Sequence, residues 1–307
     1  MSPLQLLVQA LNGLQFGLML FLISAGLTLI FGIMNLINLA HGAFYMIGAY
    51  ICAAVIQWSG SSLAGIVVAL LGGLFVGIGV ELVVFRRLYN RTYLDQVLAT
   101  FGVTLIFNEL VRMIWGPSAL YSAIPPILSG QLEIFPDVLY PIYRLVIIGV
   151  GLVVGMLLYW IVVHTRLGML IRAGASNRIM VDALGVNITL LYTLVFGLGS
   201  VLAALAGIIA APILAVQSGM GDDMLILALV VIVIGGIGSI RGAFIASALV
   251  GIVDTVGRAG LRPLLAVLMS RSAADNAGPA VASILIYLLM AAVLFFRPQG
   301  LFPARTR

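Results

Sequence analysis

Residues able to do chemistry are few in this sequence, and their spacing excludes more than it allows. The two histidines, His41 and His164, have no second histidine, cysteine or carboxylate set at metal-ligand or triad spacing, so each reads as a hydrogen-bonded boundary histidine. The one cysteine, Cys52, has no partner for an internal disulfide and reads as packing. All 15 basic residues are arginine. Without lysine the chain lacks the residue that reaches the β- and γ-phosphates in a G-x-x-x-x-G-K-[ST] loop, and the amine that Schiff-base chemistry needs. If ATP drives this protein, ATP and magnesium are bound by other subunits, and no cofactor belongs to this chain.

The polar groups that remain lie in two interruptions of apolar sequence. Asn35, Asn38 and His41 fall in the first, Asn35-Leu36-Ile37-Asn38-Leu39-Ala40-His41-Gly42. A re-entrant or inter-helix segment there would face a translocation path; an ordinary tight turn with Asn38 capping the next helix is the alternative. The second is Gly235-Gly236-Ile237-Gly238-Ser239, followed by Arg241-Gly242. Three glycines in four residues argue for a broken helix, and non-helical backbone at membrane depth survives only inside protein or lining a cavity. Close helix packing is the other reading of such glycines, as it is for those near residues 72–79 and 197–207. His41-Gly42-Ala43-Phe44 returns as Arg241-Gly242-Ala243-Phe244, which suggests an internal repeat.

A third segment, Thr165 to Asn187, joins two apolar runs. Within it Ser176 to Leu184 predicts a short helix, with Ser176 or Asn177 as N-cap and Gly185 as the stop. Ile179, Met180, Ala183 and Leu184 share one face, and Arg178 and Asp182 the other. Such an amphipathic peg lies either against the bilayer or its own bundle, or in the groove of a cytoplasmic ATPase.

The elements carrying these segments are membrane spans. The chain is 63% hydrophobic and 8% charged, against roughly 45–50% and 25% in soluble domains. Its apolar runs reach or approach the about 20 residues that cross about 30 Å of hydrocarbon. Spans are expected near 6–33, 42–58, 63–85, 94–115, 140–163 and 188–211, then two shorter pieces near 224–239 and 243–257, and a last near 279–296. The fold class is therefore all-α: one polytopic transmembrane helical bundle over residues 1–307, with eight or nine spans and a short cytoplasmic coupling helix. The first run lacks the basic flank and cleavage site of a signal peptide and reads as a retained crossing.

Arginine distribution orients the bundle. Arg86, Arg87 and Arg91, then Arg166, Arg172 and Arg178, then Arg297, Arg305 and Arg307 mark cytoplasmic segments. Glu133 and Asp137 among prolines such as Pro136, and Asp222 with Asp223, suit the outer face. Arg258, Arg262 and Arg271 against Asp275 break this pattern, so the topology there is left as two short crossings or a broken helix. The arginines form no aromatic-interleaved patch, which argues against nucleic acid. Glu109 with Arg112, Asp254 with Arg258, and Glu81 at the end of the third span read as paired or snorkelling charges, and no acidic residue stands clearly at the midplane.

Asn38-Leu39-Ala40-His41-Gly42 with Tyr45 to Tyr50, the loop Gly168 to Asn187 ending Ala183-Leu184-Gly185-Val186-Asn187, Gly235 to Ser239, and Arg297-Pro298-Gln299-Gly300-Leu301-Phe302 together resemble the permeases of branched-chain amino acid ABC importers. Of the two permeases in such a system, the shorter is the more similar. The resemblance implies an importer in the bacterial inner membrane, for branched-chain amino acids or related small polar solutes. Its partners would be a homologous second permease, two cytoplasmic ATPases, a periplasmic solute-binding protein and membrane lipid. Gly168, Arg172, Asn177, Ile179, Met180, Asp182, Leu184 and Gly185 would couple to the ATPase, although an acidic residue is common in the family where Asn177 stands. Asn35, Asn38, His41, Gly235, Gly236, Gly238 and Ser239 are the pathway candidates. Arg241 is a charge for which the resemblance gives no account. Other classes would be an ion-coupled secondary carrier or a passive channel.

Overall fold

The computed structural model describes residues 3–89, 91–135, 138–268 and 270–303. Pro136, Asp137, Arg305 and Arg307, used above for orientation, lie outside them. The elements follow the apolar runs closely: α1 Pro3–Met34, α2 His41–Ser59, α3 Ser62–Val80, α5 Tyr93–Trp115, α6 Ile142–His164, α9 Ile188–Ala210, α10 Met220–Gly235, α11 Ile240–Leu268 and α12 Arg271–Phe296. A π-turn, Glu81–Phe85, and one last turn, α4 Arg86–Leu88, extend α3. Among the described residues seven helices are long and apolar enough to cross a membrane. The apolar stretch Ala280–Phe296 of α12 and the 16-residue α10 are shorter. The two pieces expected around residues 224–257 are indeed separate helices, but the second is a 29-residue helix with Pro263 inside it. A small antiparallel hairpin, β1 Gln131–Phe135 with β2 Val138–Pro141, was not anticipated.

Helix α1 is the hub, packed on α6, α9, α10 and α11 and buried over most of its length. Leu18 to Ile23 are buried all round, which a helix tolerates only at the centre of a bundle. Since lipid tails are as apolar as leucine, close approach has to come from small residues. They line each seam. Gly13 and Gly17 meet the backbone of α11 at Ile252 and Ser247, while Gly48 meets the α9 backbone at Ala204 and Gly73 meets the Ala204 side chain. Close packing thus accounts for the glycines of α9 and for Gly65, Gly72, Gly73 and Gly77 of α3, but not for Gly79.

The Gly42 and Gly242 tetrapeptides open α2 and α11, the helices that follow the two breaks. Gly42 touches Gly221 near the start of α10 and Gly242 touches Gly235 at its end, and Phe244 stacks edge-on upon Phe21 of α1 at 5.1 Å.

Candidate translocation and coupling sites

At Met34 α1 ends, and Asn35 takes the left-handed conformation with φ 49°. The chain then turns back along the helix it has left. His41 Nε2 lies 3.1 Å from the carbonyl oxygen of Ile23, about 16 Å back along α1 from its end at 1.5 Å per residue. Thr104 in the middle of α5 donates to Leu39 O at 3.1 Å. Helix α2 therefore begins deep in the bundle, and residues 35–40 re-enter. Asn38 is fully buried, caps nothing with its side chain, and has no hydrogen-bond partner for its amide; the N-cap position is Ala40. The capping alternative for Asn38 fails because α2 begins at His41, which leaves Asn38 two residues before the N-cap position.

A second segment re-enters from the other end. Leu120 and Val216 form an isolated bridge, and Asn108 of α5 gathers the chain beyond it. Its carbonyl accepts from Ser218 Oγ at 3.1 Å, its Oδ1 from Gly219 N at 3.1 Å, and its Nδ2 donates to Asp222 Oδ2 at 3.2 Å. Asn108 lies about 10 Å inside the end of α5, so Asp222 and Asp223, expected in an outer loop, occupy the first turn of an embedded helix. The starts of α2 and α10 meet at Gly42 and Gly221. Two helix N-termini, each carrying a partial positive charge and with first-turn amides such as His41 N and Asp222 N bonded to the preceding turn, thus converge beside a carboxylate that sequence reasoning missed.

At the arginine-rich end the other break forms. Gly236 and Gly238 have φ of 103° and 78°, which only glycine adopts without strain. Gly235 packs on Gly242, and Gly236 on Phe302 and Pro303. Leu301 N donates to Ile234 O at 2.8 Å and Phe302 N to Gly235 O at 2.9 Å, so the Arg297–Phe302 motif caps α10. Gly235 and Gly236 are buried beneath this tail, whereas Gly238 and Ser239 line a cavity of about 610 Å³ with Asn35, Thr28, Tyr159 and Arg172. The pathway candidates thereby divide: Asn38 and His41 lie at depth, Asn35, Gly238 and Ser239 around the cavity, and Gly235 and Gly236 in the turn that shapes it.

The Thr165–Asn187 segment folds as two helices, α7 Arg166–Ser176 and α8 Arg178–Ala183. Ser176 is the last residue of α7 and caps nothing; Asn177 ends that helix and its Oδ1 accepts from Met180 N at 3.0 Å to begin α8. Gly168 fits tightly into the α6–α7 corner, and Gly185 stops α8 with φ 85°. Val181 is the buried anchor. Ile179, Met180 and Leu184 remain 76%, 60% and 76% exposed, an apolar surface on a helix of under two turns. Arg172 and Asp182 are exposed, Arg172 facing the cavity.

The acidic residues suspected of pairing do pair. Arg112 Nη1 lies 3.0 Å from Glu109 and Arg258 Nε 2.8 Å from Asp254. Glu81, fully buried, accepts from Tyr89 Oη at 2.6 Å and Thr193 Oγ1 at 2.9 Å, with Arg86 at 3.5 Å. Burial, and then the bond to Glu81, push the Tyr89 hydroxyl far above its usual range, so it stays a donor. This network ties the end of α3 to α9 near the α7–α8 segment. Among the described residues no group of three or more histidine, cysteine and acidic side chains could hold a metal ion.

The family described as "branched-chain amino acid transport system / permease component" matches residues 9–294. Among curated relatives, the high-affinity branched-chain amino acid transport system permease protein BraD of Pseudomonas aeruginosa is 29% identical over 96% of this chain and 95% of its own. LivH of Escherichia coli, of the same description, is 29% identical over 84% of this chain and 88% of its own. A probable LivH of Methanocaldococcus jannaschii is 24% identical over 78% and 76%. No solved structure matches.

Proposed function

This chain belongs to the permease family of branched-chain amino acid transport systems, the membrane subunits of ABC importers, and from that premise we propose how it takes up and passes its solute. It is a transport permease, from a family that is not one of enzymes. Its solutes are branched-chain amino acids or related small polar molecules, delivered by a periplasmic binding protein and passed between this chain and a homologous second permease in the bacterial inner membrane. The arginine-rich end faces the cytoplasm. There two ATPases carry the ATP and magnesium, and their closure moves α7 and α8.

One observation carries the coupling assignment: Ile179, Met180 and Leu184 stand exposed on a helix held by Val181 and capped by Asn177. An apolar triad pointing into water gains by entering a groove of a partner. Gly168, Arg172, Asp182 and Gly185 position that peg. The re-entrant starts of α2 and α10 form the pathway, with Asn38 and His41 at depth and Asn35 at the cytoplasmic mouth. Gly235, Gly236, Gly238 and Ser239 shape the second break. Charging the peg by Met180→Asp or Leu184→Asp abolishes co-purification of the ATPases and uptake, while the permease pair still assembles. Variants that keep both ATPases and normal uptake refute the assignment.

A further inference from the structure

Arg241 is the charge for which neither the family resemblance nor the coupling scheme gives an account. It stands at the start of α11, exposed, with Nη2 donating to Tyr159 Oη at 2.9 Å and its guanidinium 5.0 Å from the centre of the Tyr159 ring. Arg172 lines the same cavity from α7. Among the described residues no carboxylate forms an ion pair with either arginine. Two unneutralised guanidiniums therefore face one space at the membrane boundary.

From Arg241 an apolar groove of about 420 Å³ runs between α6 and α11, lined by Phe21, Leu152, Gly155, Met156, Phe244 and Ile245. On α6 it extends from Tyr159 to Leu152, about 10 Å into the hydrocarbon. Met156 is 67% exposed, so the groove opens sideways, away from the core. Midway along it a Cβ on Gly155 would stand 3.2 and 3.4 Å from the rings of Phe244 and Phe21. Cationic at the boundary, apolar below and open laterally, the surface has the polarity of one lipid molecule.

We propose that this groove is a binding site for an anionic glycerophospholipid of the leaflet at the arginine-rich end. The phosphate lies against Arg241, Tyr159 and Ser239 with Arg172 across the cavity, and one acyl chain fills the α6/α11 groove. A free anion would leave the groove unfilled, and a zwitterionic lipid would leave a guanidinium uncompensated. The proposal rests on the chain's place in a bilayer; it shares Arg172 and Ser239 with the coupling and pathway readings, whereas Arg241 and Met156, which its test alters, belong to neither.

The test uses the complete transporter in detergent, with native mass spectrometry of lipid adducts after adding phosphatidylglycerol or phosphatidylcholine with identical acyl chains. Wild type retains phosphatidylglycerol over phosphatidylcholine by about tenfold, Arg241→Gln erases that preference, and Arg241→Lys keeps most of it. Met156→Trp, which fills the exposed groove without touching the charge, also loses the adduct. Unchanged elution and melting show that the variants are folded. Equal retention of the two lipids by wild type, full retention by Arg241→Gln, or complete displacement by millimolar inorganic phosphate overturns the proposal. So does cross-linking that finds the groove covered by the second permease with no lipid bound.

Discussion

Replacing Gly48 by alanine adds one methyl group where α2 crosses α9. The new Cβ would stand 2.5 Å from Ala204 O, 2.6 Å from its Cα and 2.9 Å from its carbonyl carbon. All three are backbone atoms, so no side chain can rotate away. Restoring an ordinary contact of about 3.4 Å means parting the helices by about 0.9 Å, against neighbours packed at crystal-like density. Overpacking of this kind costs about 3 kcal/mol at the upper end of its range. Alanine recovers about 1 kcal/mol of helix propensity, leaving about 2 kcal/mol of destabilisation. For a chain of this size that lowers the melting midpoint by roughly 3 °C. The assay is loss of the monodisperse elution peak after heating in detergent. Gly79→Ala and Gly102→Ala serve as internal controls, because nothing lies within 4 Å of a Cβ at either glycine. There the propensity term acts alone and the midpoint rises. If Gly48→Ala melts with the controls, close backbone approach does not hold this seam.

Glu81→Gln sets an amide opposite the Tyr89 and Thr193 donors, while half-exposed Arg86 keeps its water; stability falls by about 2 kcal/mol in the same melting assay. The expected outcome in vesicles is uptake indifferent to ion gradients in wild type and variant alike; a gradient dependence in wild type that Glu81→Gln abolishes would favour a carrier. Asn177→Ala removes the acceptor for Met180 N and costs α8 about 1 kcal/mol. ATPase association, followed by titration into nanodiscs, weakens about fivefold. Asp222→Asn keeps an acceptor for Asn108 but removes the charge from the embedded α10 start; uptake falls at least about tenfold with melting shifted by no more than about 2 °C.

Much of this was legible in the sequence because lipid imposes blunt rules. Apolar runs between punctuating Asn, Gly and Arg place most of the described helices within a few residues, though α11 runs well past 257 and α12 starts well before 279, and the glycine run at 235–238 correctly breaks α10 from α11. Asn177 was readable as a cap, but not that it also ends α7, because nothing local distinguishes one bent helix from two. How far residues 35–40 climb depends on Ile23 and Thr104, distant in sequence. Asp222 looked like a loop residue because only Asn108, on another helix, draws its turn inward. The bond from Thr193 to Glu81 and the tail's bonds to Ile234 and Gly235 are likewise long-range, invisible to periodicity. Strand residues 131–135 and 138–141 lie among prolines and carry too weak an alternation to register.

The tail's hold on α10 also bears on how the protein is made. When the ribosome has finished the turn at residues 236–239, the carbonyls of Ile234 and Gly235 have no donors, and they wait through the synthesis of α11 and α12 until Leu301 and Phe302 emerge. A nascent product cut short before that point keeps two bare acceptors at a buried corner, where each carries a desolvation penalty.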